Sequence, residues 1–446
     1  MCGEQNRSHY CWQNMMRIRN VLIFPAGTEI GLEIFNALRH CKEVKLFGAG
    51  QDVSNHAKFI YEQYYTIPSI YDEKWLGTLI DLCISLKIDY IFPAYDDVII
   101  ALAKVRNKLP AVLLAPSESV CNITRSKSKT YSFLQHVVKV PQLFKGPEEV
   151  EKYPVFLKPD IGQGSTGVKK ILNKQELISF LDKREGMIVS EYLPGEEYTV
   201  DCFSDREKGL LFCGARIRGR MRNGIAVNTR LIKLPGAYEF ATKIGEALSL
   251  YGAWFFQLKR TEDGELTLLE VAPRIAGSMA AHRVSGINFP LLCIYEHERF
   301  PVQIQVNRCA IEMDRALYNR YRHSIDFDVV YVDLDDTLIF NNEVNVDIVK
   351  LIYQCINRSK KIVLITRHSG DLSRTLSTYR ISGLFDQIVH LPPHEKKSKY
   401  IKESTAIFVD DSFSERLEVA IECGIFTFDS SMVELITNGS SNEQDL

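Results

Sequence analysis

The sequence predicts an α/β protein of two or three domains, on three observations. Short apolar strands alternate with amphipathic helical stretches over residues 20–114. A second series, whose strands end in acids, runs over 329–411. Between them a strand opens directly into a glycine-rich loop, Val155–Val168. The 446 residues and 46% hydrophobic content suffice for ordinary cores. With 54 basic against 56 acidic residues, the net charge of −2 leaves no electrostatic footprint for nucleic acid or an anionic membrane. Eleven cysteines are scattered singly from Cys2 to Cys423 without a CxxC pair or zinc spacing, which predicts reduced thiols. Residues 1–17 are polar and no long apolar run occurs, so the expected location is cytoplasmic, away from membranes.

The elements follow in order. Asn20–Pro25 reads as a strand and Glu29–Arg39 as a helix, with Ile30, Ile34, Phe35 and Leu38 at helical spacing. Val44–Phe47, Asp89–Phe92 and Val112–Leu114 are further strands, and Lys74–Leu86 and Val98–Val105 the helices between them. Such βα units imply a parallel sheet covered on both faces. The turn Pro25–Gly31 holds two glycines of a dinucleotide fingerprint but no close third, which disfavours a Rossmann cofactor. Asp96 and Asp97 fall just past the carboxyl end of a strand, where open α/β sheets place ligands, although a solvated turn is the simpler explanation.

Lys127 and Lys129 open a helix through Tyr131, Phe133 and Leu134. In the glycine-rich stretch, Lys158 ends a strand and Gly162, Gly164, Ser165 and Gly167 follow. Glycines leave the backbone free to fold over an anion, and successive N–H groups then cradle phosphate. Residues 170–183 read as an exposed helix and Met187–Ser190 as a strand running into Glu191. Trp254–Lys259 and Leu266–Glu270 are two strands joined by a turn at Glu262–Gly264, and alternation along them brings Gln257 and Glu270 to one site.

Lys158 with its loop, Glu191–Glu197, Gln257 and Glu270–Arg274 in this order resemble the ATP-grasp superfamily. The closest resemblance is to the ATP-binding half-modules of the carbamoyl-phosphate synthase large subunit. It implies a pre-ATP-grasp α/β domain over 18–118 and an ATP-grasp α+β domain over 119–310, binding ATP with Mg²⁺ or Mn²⁺. By the same resemblance Lys127, Lys158 and the loop residues Gly162, Gly164, Ser165 and Gly167 hold phosphates. The strand Val189–Leu193 lines adenine with Glu191 at the hinge, and Glu197 accepts from the ribose. Gln257 and Glu270 are the metal ligands, and Arg274 clamps the transferred phosphoryl group. One position departs from the pattern: Ala272 stands where the family has an asparagine, which puts a second metal in doubt. Arg216, Arg218, Arg220 and Arg222 alternate, so on a strand they would share a face for an anionic substrate or form a solvated basic edge.

Residues 311–325 change character and read as a linker, with a boundary near Ser324. Beyond it Val329–Val332 runs into Asp333-Leu-Asp335-Asp336-Thr337, Ile362–Ile365 into Thr366, and Ala406–Val409 into Asp410-Asp411. Unpaired carboxylates at neighbouring strand ends repel one another, and a bound cation resolves this. This pattern resembles the haloacid-dehalogenase (HAD) superfamily of phosphatases, implying a Rossmannoid α/β domain over 326–438 before a polar tail at 439–446. The implied roles are Asp333 as nucleophile, Asp335 as acid and base, and Thr366 with Lys397 on phosphate charge, Lys396 and Lys399 being the other lysines within reach of that role. By the same resemblance Asp333, Asp335, Asp410 and Asp411 are the expected Mg²⁺ ligands. The gaps between these motifs leave no room for a cap domain, so the site should be open, its lid supplied by a macromolecular substrate or by the ATP-grasp domain.

The expected function is bifunctional: an ATP-dependent carboxylate–amine ligase working through an acyl phosphate, with an appended Mg²⁺-dependent phosphatase. Its partners are a small carboxylate, an amine and a phosphate ester, with an oligomer allowed. The alternative is a HAD phosphatase controlled by an ATP-grasp module that only senses nucleotide.

Overall fold

The computed structural model describes residues 17–162, 166–181, 185–222 and 225–440. Within them the chain divides between Ala316 and Leu317 into two units.

The first unit begins with a five-stranded parallel sheet, order β3-β2-β1-β4-β5. Its strands are β1 (Arg19–Phe24), β2 (Val44–Gly50), β3 (Tyr64–Thr66), β4 (Tyr90–Pro93) and β5 (Val112–Leu113). Helices α1 (Glu29–Leu38), α2 (Trp75–Ser85) and α3 (Asp96–Lys104) connect them, and α4 (Glu118–Arg125) leads out. β1 is buried on both faces: Val21 and Ile23 enter one core with Ile34 and Phe255, Leu22 and Phe24 another with Leu79 and Leu102. That two-sided burial is why it reads as a continuous apolar run. The short edge strand β3 was not evident in the sequence, because Tyr64–Thr66 is too brief to alternate. Thr28 caps α1 by accepting from the Gly31 N–H, worth about 1 kcal/mol. Gly31 itself is required by packing, since a Cβ there would sit 2.5 Å from the Ala26 carbonyl oxygen.

After α5 (Lys127–Leu134) comes a four-stranded antiparallel sheet, order β6-β9-β7-β8, made of β6 (Leu143–Phe144), β7 (Val155–Pro159), β8 (Lys169–Ile171) and β9 (Met187–Glu191). Helix α6 (Lys174–Leu181) covers it through Leu177. The helix expected over 170–183 therefore starts later: Lys169–Ile171 pairs with β7, and Ile171 is fully buried.

A six-stranded antiparallel sheet follows, order β14-β13-β10-β11-β12-β15. It contains β10 (Glu197–Asp205), β11 (Gly209–Arg222), β12 (Ile225–Ile232), β13 (Gly252–Arg260), β14 (Leu266–Ala272) and β15 (Glu312–Asp314). Val200, Trp254, Phe256 and Leu258 pack one of its faces. Helix α7 (Phe289–His297) returns to the first sheet, where Glu298 forms a two-pronged ion pair with the buried Arg19 at 2.6 and 2.9 Å.

The second unit is built on a five-stranded parallel sheet, order β21-β20-β17-β22-β23. Its chain runs β16 (Tyr321–Arg322), β17 (Val329–Val332), the hairpin β18 (Ile339–Phe340) and β19 (Glu343–Val344), then helix α8 (Val346–Asn357). β20 (Lys361–Thr366), β21 (Gln387–His390), β22 (Ala406–Val409), helix α9 (Phe413–Cys423), β23 (Phe426–Phe428) and β24 (Gly439–Ser440) complete it. The stretch expected as a linker is partly strand: Glu312–Asp314 pairs with β12, and Tyr321–Arg322 pairs with β24, drawn from the expected polar tail. Exposed, polar two- and three-residue strands carry no periodic signal, so their partners alone define them.

Candidate functional sites

In the first unit a cavity of about 540 Å³ is lined by the segments that follow β1 and β4, the end of β7, and strands β10 to β14. Lys158, at the end of β7, is only 6% exposed. Its Nζ donates to the Tyr131 hydroxyl at 2.8 Å, which itself donates to the Leu269 carbonyl at 2.6 Å. Burial, and after it the neighbouring Lys127, push the Lys158 pKa down to about 8. Lys127 lies at 3.4–3.5 Å from the carbonyls of Gly162 and Asp160. Asp160 fixes the start of α5, accepting from Ser126 Oγ and from the Ser128 N–H, each at 2.7 Å. It follows Lys158-Pro159 directly, and that adjacency was the signal that could have singled it out.

Gln257 stands directly opposite Glu270 in the β13–β14 pairing, just before a register shift, and both line the cavity. Burial raises the Glu270 pKa, with Lys127 opposing it. Glu191 and Glu197 are in the same wall; Glu191 accepts from the Gln142 N–H at 3.3 Å, and Glu197 is paired with Arg218. Ala272 also faces this space. Gly162 lines the cavity and Gly167 has φ of 77°, a conformation favouring glycine. Gly164 and Ser165 lie outside the described residues.

Two expectations need correction. Asp96 is not in a solvated turn: it opens α3 and holds the Arg274 guanidinium, with Nη2–Oδ2 at 3.1 Å. Arg274 therefore reaches the cavity already neutralised rather than as a free clamp. The alternating arginines do lie on one strand, β11, but β-bulges around Arg220 break their common face. Arg216 is buried against Asp201 at 2.8 Å and Arg220 is paired with Asp314 at 2.6 Å, so neither is an unpaired anion-binding group.

In the second unit the polar residues gather at the carboxyl ends of β17, β20 and β22. Lys397 Nζ lies 2.8 Å from Asp333 Oδ1 and 2.6 Å from Asp410 Oδ2, all three side chains being buried. Burial pushes the Asp333 pKa up to about 7; Lys397 opposes this and Asp410 adds to it. Carboxylate oxygens of Asp333, Asp410 and Asp411 lie within 4.8 Å of one another, a donor set suited to a hard divalent cation. Asp411 is placed by Thr337, whose Oγ1 accepts from its N–H at 2.9 Å. Thr366 is buried beside them, its Oγ1 accepting from the His368 N–H at 3.1 Å. Lys396 and Lys399 are exposed, and Lys399 is tied to Glu395.

Asp335, expected among the metal ligands, is not part of the carboxylate cluster of Asp333, Asp410 and Asp411; it is half exposed and turned to a residue the sequence reading missed. His368 Nδ1 lies 2.9 Å from Asp335 Oδ1, and its Nε2 2.9 Å from Thr375 Oγ1. The signal was weak: a histidine two positions past Thr366, where β20 delivers its end to the site.

Two family models match within the first unit. Residues 21–113 match a family described as PylC-like, N-terminal domain, and residues 183–312 one described as ATP-grasp in the biosynthetic pathway with Ter operon. A D-alanine–D-alanine ligase from Fusobacterium nucleatum is 34% identical over 90 residues, 20% of this chain and 31% of that protein. An N5-carboxyaminoimidazole ribonucleotide synthase from Aquifex aeolicus is 24% identical over 177 residues, 36% of this chain and 48% of that protein. The chain thus spans less than half the length of either relative. Among solved structures, N5-carboxyaminoimidazole synthetase from Staphylococcus aureus complexed with ADP superposes with a TM-score of 0.57 at 15% identity, over 68% of this chain and 84% of that one. With a parallel N-terminal sheet, a small antiparallel sheet bearing Lys158 and a larger one bearing Glu270, the first unit of this protein has the ATP-grasp fold.

Proposed function

We propose that the first unit is an ATP-dependent carboxylate–amine ligase. One observation carries this reading: Lys127, Lys158, Gln257 and Glu270 come from four separate segments yet line one cavity. Lys158 and Lys127 bind the phosphates, the backbone beside Glu191 takes the adenine, and Glu197 faces the ribose. Glu270 and Gln257 supply the oxygens for Mg²⁺ or Mn²⁺, which when bound screens phosphate charge. The substrate carboxylate attacks the terminal phosphorus of ATP, giving an acyl phosphate and ADP. The amine then attacks the acyl carbon, phosphate leaves, and the amide forms with loss of a proton. ADP release that requires both a carboxylate and an amine tests this; nucleotide binding with no such turnover contradicts it. Ala272, in the asparagine position of the carbamoyl-phosphate-synthase-like pattern, favours a second reading in which the unit only senses nucleotide.

For the second unit we propose a phosphatase of the HAD type, supported by Lys397 bridging Asp333 and Asp410 beside Thr366. Asp333 attacks phosphorus and the ester bond breaks as Asp335 protonates the leaving oxygen. Asp335 then takes a proton from water, which attacks the aspartyl-phosphate and frees phosphate. Asp333, Asp410 and Asp411 fit Mg²⁺, which when bound offsets phosphate charge. The hairpin β18–β19 and α8 fill the chain between Asp335 and β20, so no cap of domain size is inserted there. Trapping of labelled phosphate on Asp333 from an aryl phosphate tests the mechanism.

A further inference from the structure

Behind the segment that carries Arg274 lies a second, smaller cavity of about 100 Å³, the room of about three waters. It is lined by the ends of β4 and β5, the start of β13, the end of α7 and residues 273–275, so Pro273 and Arg274 belong to the walls of both cavities. Three arginines line it against one carboxylate, that of the buried Glu296. Glu296 is spent on Arg206, whose Nη2 donates to it at 3.0 Å, and Arg274 is held by Asp96. Arg106, just past α3, differs. Its Nη1 donates to the Leu113 carbonyl at 2.9 Å and its Nη2 to the Pro116 carbonyl at 2.7 Å, and it has no ion pair among the described residues. Those carbonyls occupy donors but carry no net charge. Leu113 and Pro116 line the cavity too, which fixes the tip of Arg106 at its edge.

His297, the last residue of α7, lines the same space. Its ring stands edge-on to Tyr90, with centroids 5.7 Å apart, and its nitrogens have no hydrogen-bond partner among the described residues. Burial, and after it Arg206, push its pKa down; Arg106 acts in the same sense, while Glu296 and Glu298 oppose them. Glu298 is itself committed to Arg19 and to the Tyr90 hydroxyl.

A cavity this small is one molecule across, so a guanidinium without a counter-ion and an imidazole without a partner on its wall address the same occupant. The unspent charge is positive, which selects an anion. Arg106, Arg206 and His297 come from three different segments, so an occupant with oxygens in several directions meets them together. A tetrahedral oxyanion, with only five non-hydrogen atoms, does so within this volume. A neutral apolar molecule would leave the charge uncompensated.

We infer that this crevice is a binding site for a small tetrahedral oxyanion, inorganic phosphate or sulfate, held by Arg106 and His297 and separate from the larger cavity. The site stands on its own lining and does not depend on the ligase reading.

The readout is His297 itself, because phosphate has other places to bind on this chain. The full chain, with ¹⁵N-labelled histidine, is titrated with phosphate, sulfate, chloride and citrate, and the His297 signal is assigned by its loss in His297→Gln. Phosphate or sulfate should shift that signal saturably and raise its titration midpoint, because a bound anion favours the charged ring. Affinity should then fall as pH rises through the midpoint. A response to one of the two oxyanions alone names the ligand. Chloride at equal ionic strength should not reproduce the shift, and neither should citrate, which is too large for the cavity. Arg106→Gln should weaken the effect by about 10- to 100-fold, as expected for a charged hydrogen bond, with partial recovery in Arg106→Lys. Thermal unfolding without ligand reports whether each variant is folded, and the wild-type titration decides by itself if Arg106→Gln is not. No saturable shift of His297 with either oxyanion, an equal shift with chloride or citrate, or an undiminished shift in a folded Arg106→Gln protein overturns the inference.

Discussion

The two candidate sites are assembled by opposite constructions. In the first unit the polar residues arrive from β7, α5, β13 and β14, and the arginines beside them are held by partners on other elements, Arg216 by Asp201 on the neighbouring strand and Arg274 by Asp96 far away in sequence. In the second unit three parallel strands simply end in acids, threonine and a lysine-bearing turn, and Lys397 locks two of those ends together. A site made of strand ends needs only the sheet to be correct. A site made across sheets needs every long-range pairing to be correct as well.

Substitutions sharpen that contrast. The largest effect is expected at Asp333: Asp333→Asn should abolish phosphatase turnover, because an amide is a poor nucleophile, and steady-state hydrolysis of an aryl phosphate measures it. Asp335→Asn should cost about 10²–10⁴-fold with a poor leaving group, the usual worth of general acid–base catalysis, and far less with an activated one. His368→Ala should follow the same leaving-group pattern at smaller size if the imidazole orients Asp335; an equal loss for every leaving group would mean that it only supports the fold. Chelation should silence both units.

Lys158→Ala should weaken nucleotide binding by about 10- to 100-fold, the worth of a charged hydrogen bond. The pH profile gives a finer check. Because Lys158 is held near pKa 8 in the ligand-free protein and must be charged to bind phosphate, affinity should be level below that pH and fall above it by about tenfold per unit. The break should vanish in Lys158→Ala. The smallest effect is expected for Ala272→Asn, which restores a ligand of the resembled pattern: the metal requirement of ATP turnover should shift modestly, and no shift would remove the argument from that position.

What was legible in the sequence follows the same division. The strands ending at Asp333, Thr366 and Asp410 were readable because burial on both faces makes them continuous apolar runs and their last residues are the polar ones. Gln257 and Glu270 were readable because a hairpin fixes their register. The arginines of β11 were not: alternation placed them on one face, but bulges and pairing to Asp201, Glu197 and Asp314 decide what each does. Asp96 was misjudged for the same reason, its partner Arg274 lying far along the chain. Tyr131, Asp160 and His368 act by holding other side chains, a role visible only once those side chains are in place.

The central claim is that the chain carries two chemically independent sites. The direct test is to measure nucleotide affinity and aryl phosphate hydrolysis side by side in wild type, Lys158→Ala and Asp333→Asn. The account predicts a clean exchange: Lys158→Ala binds nucleotide about 10- to 100-fold more weakly and keeps hydrolysis nearly intact, while Asp333→Asn loses hydrolysis and keeps nucleotide affinity. Loss of both activities in either folded variant would contradict it.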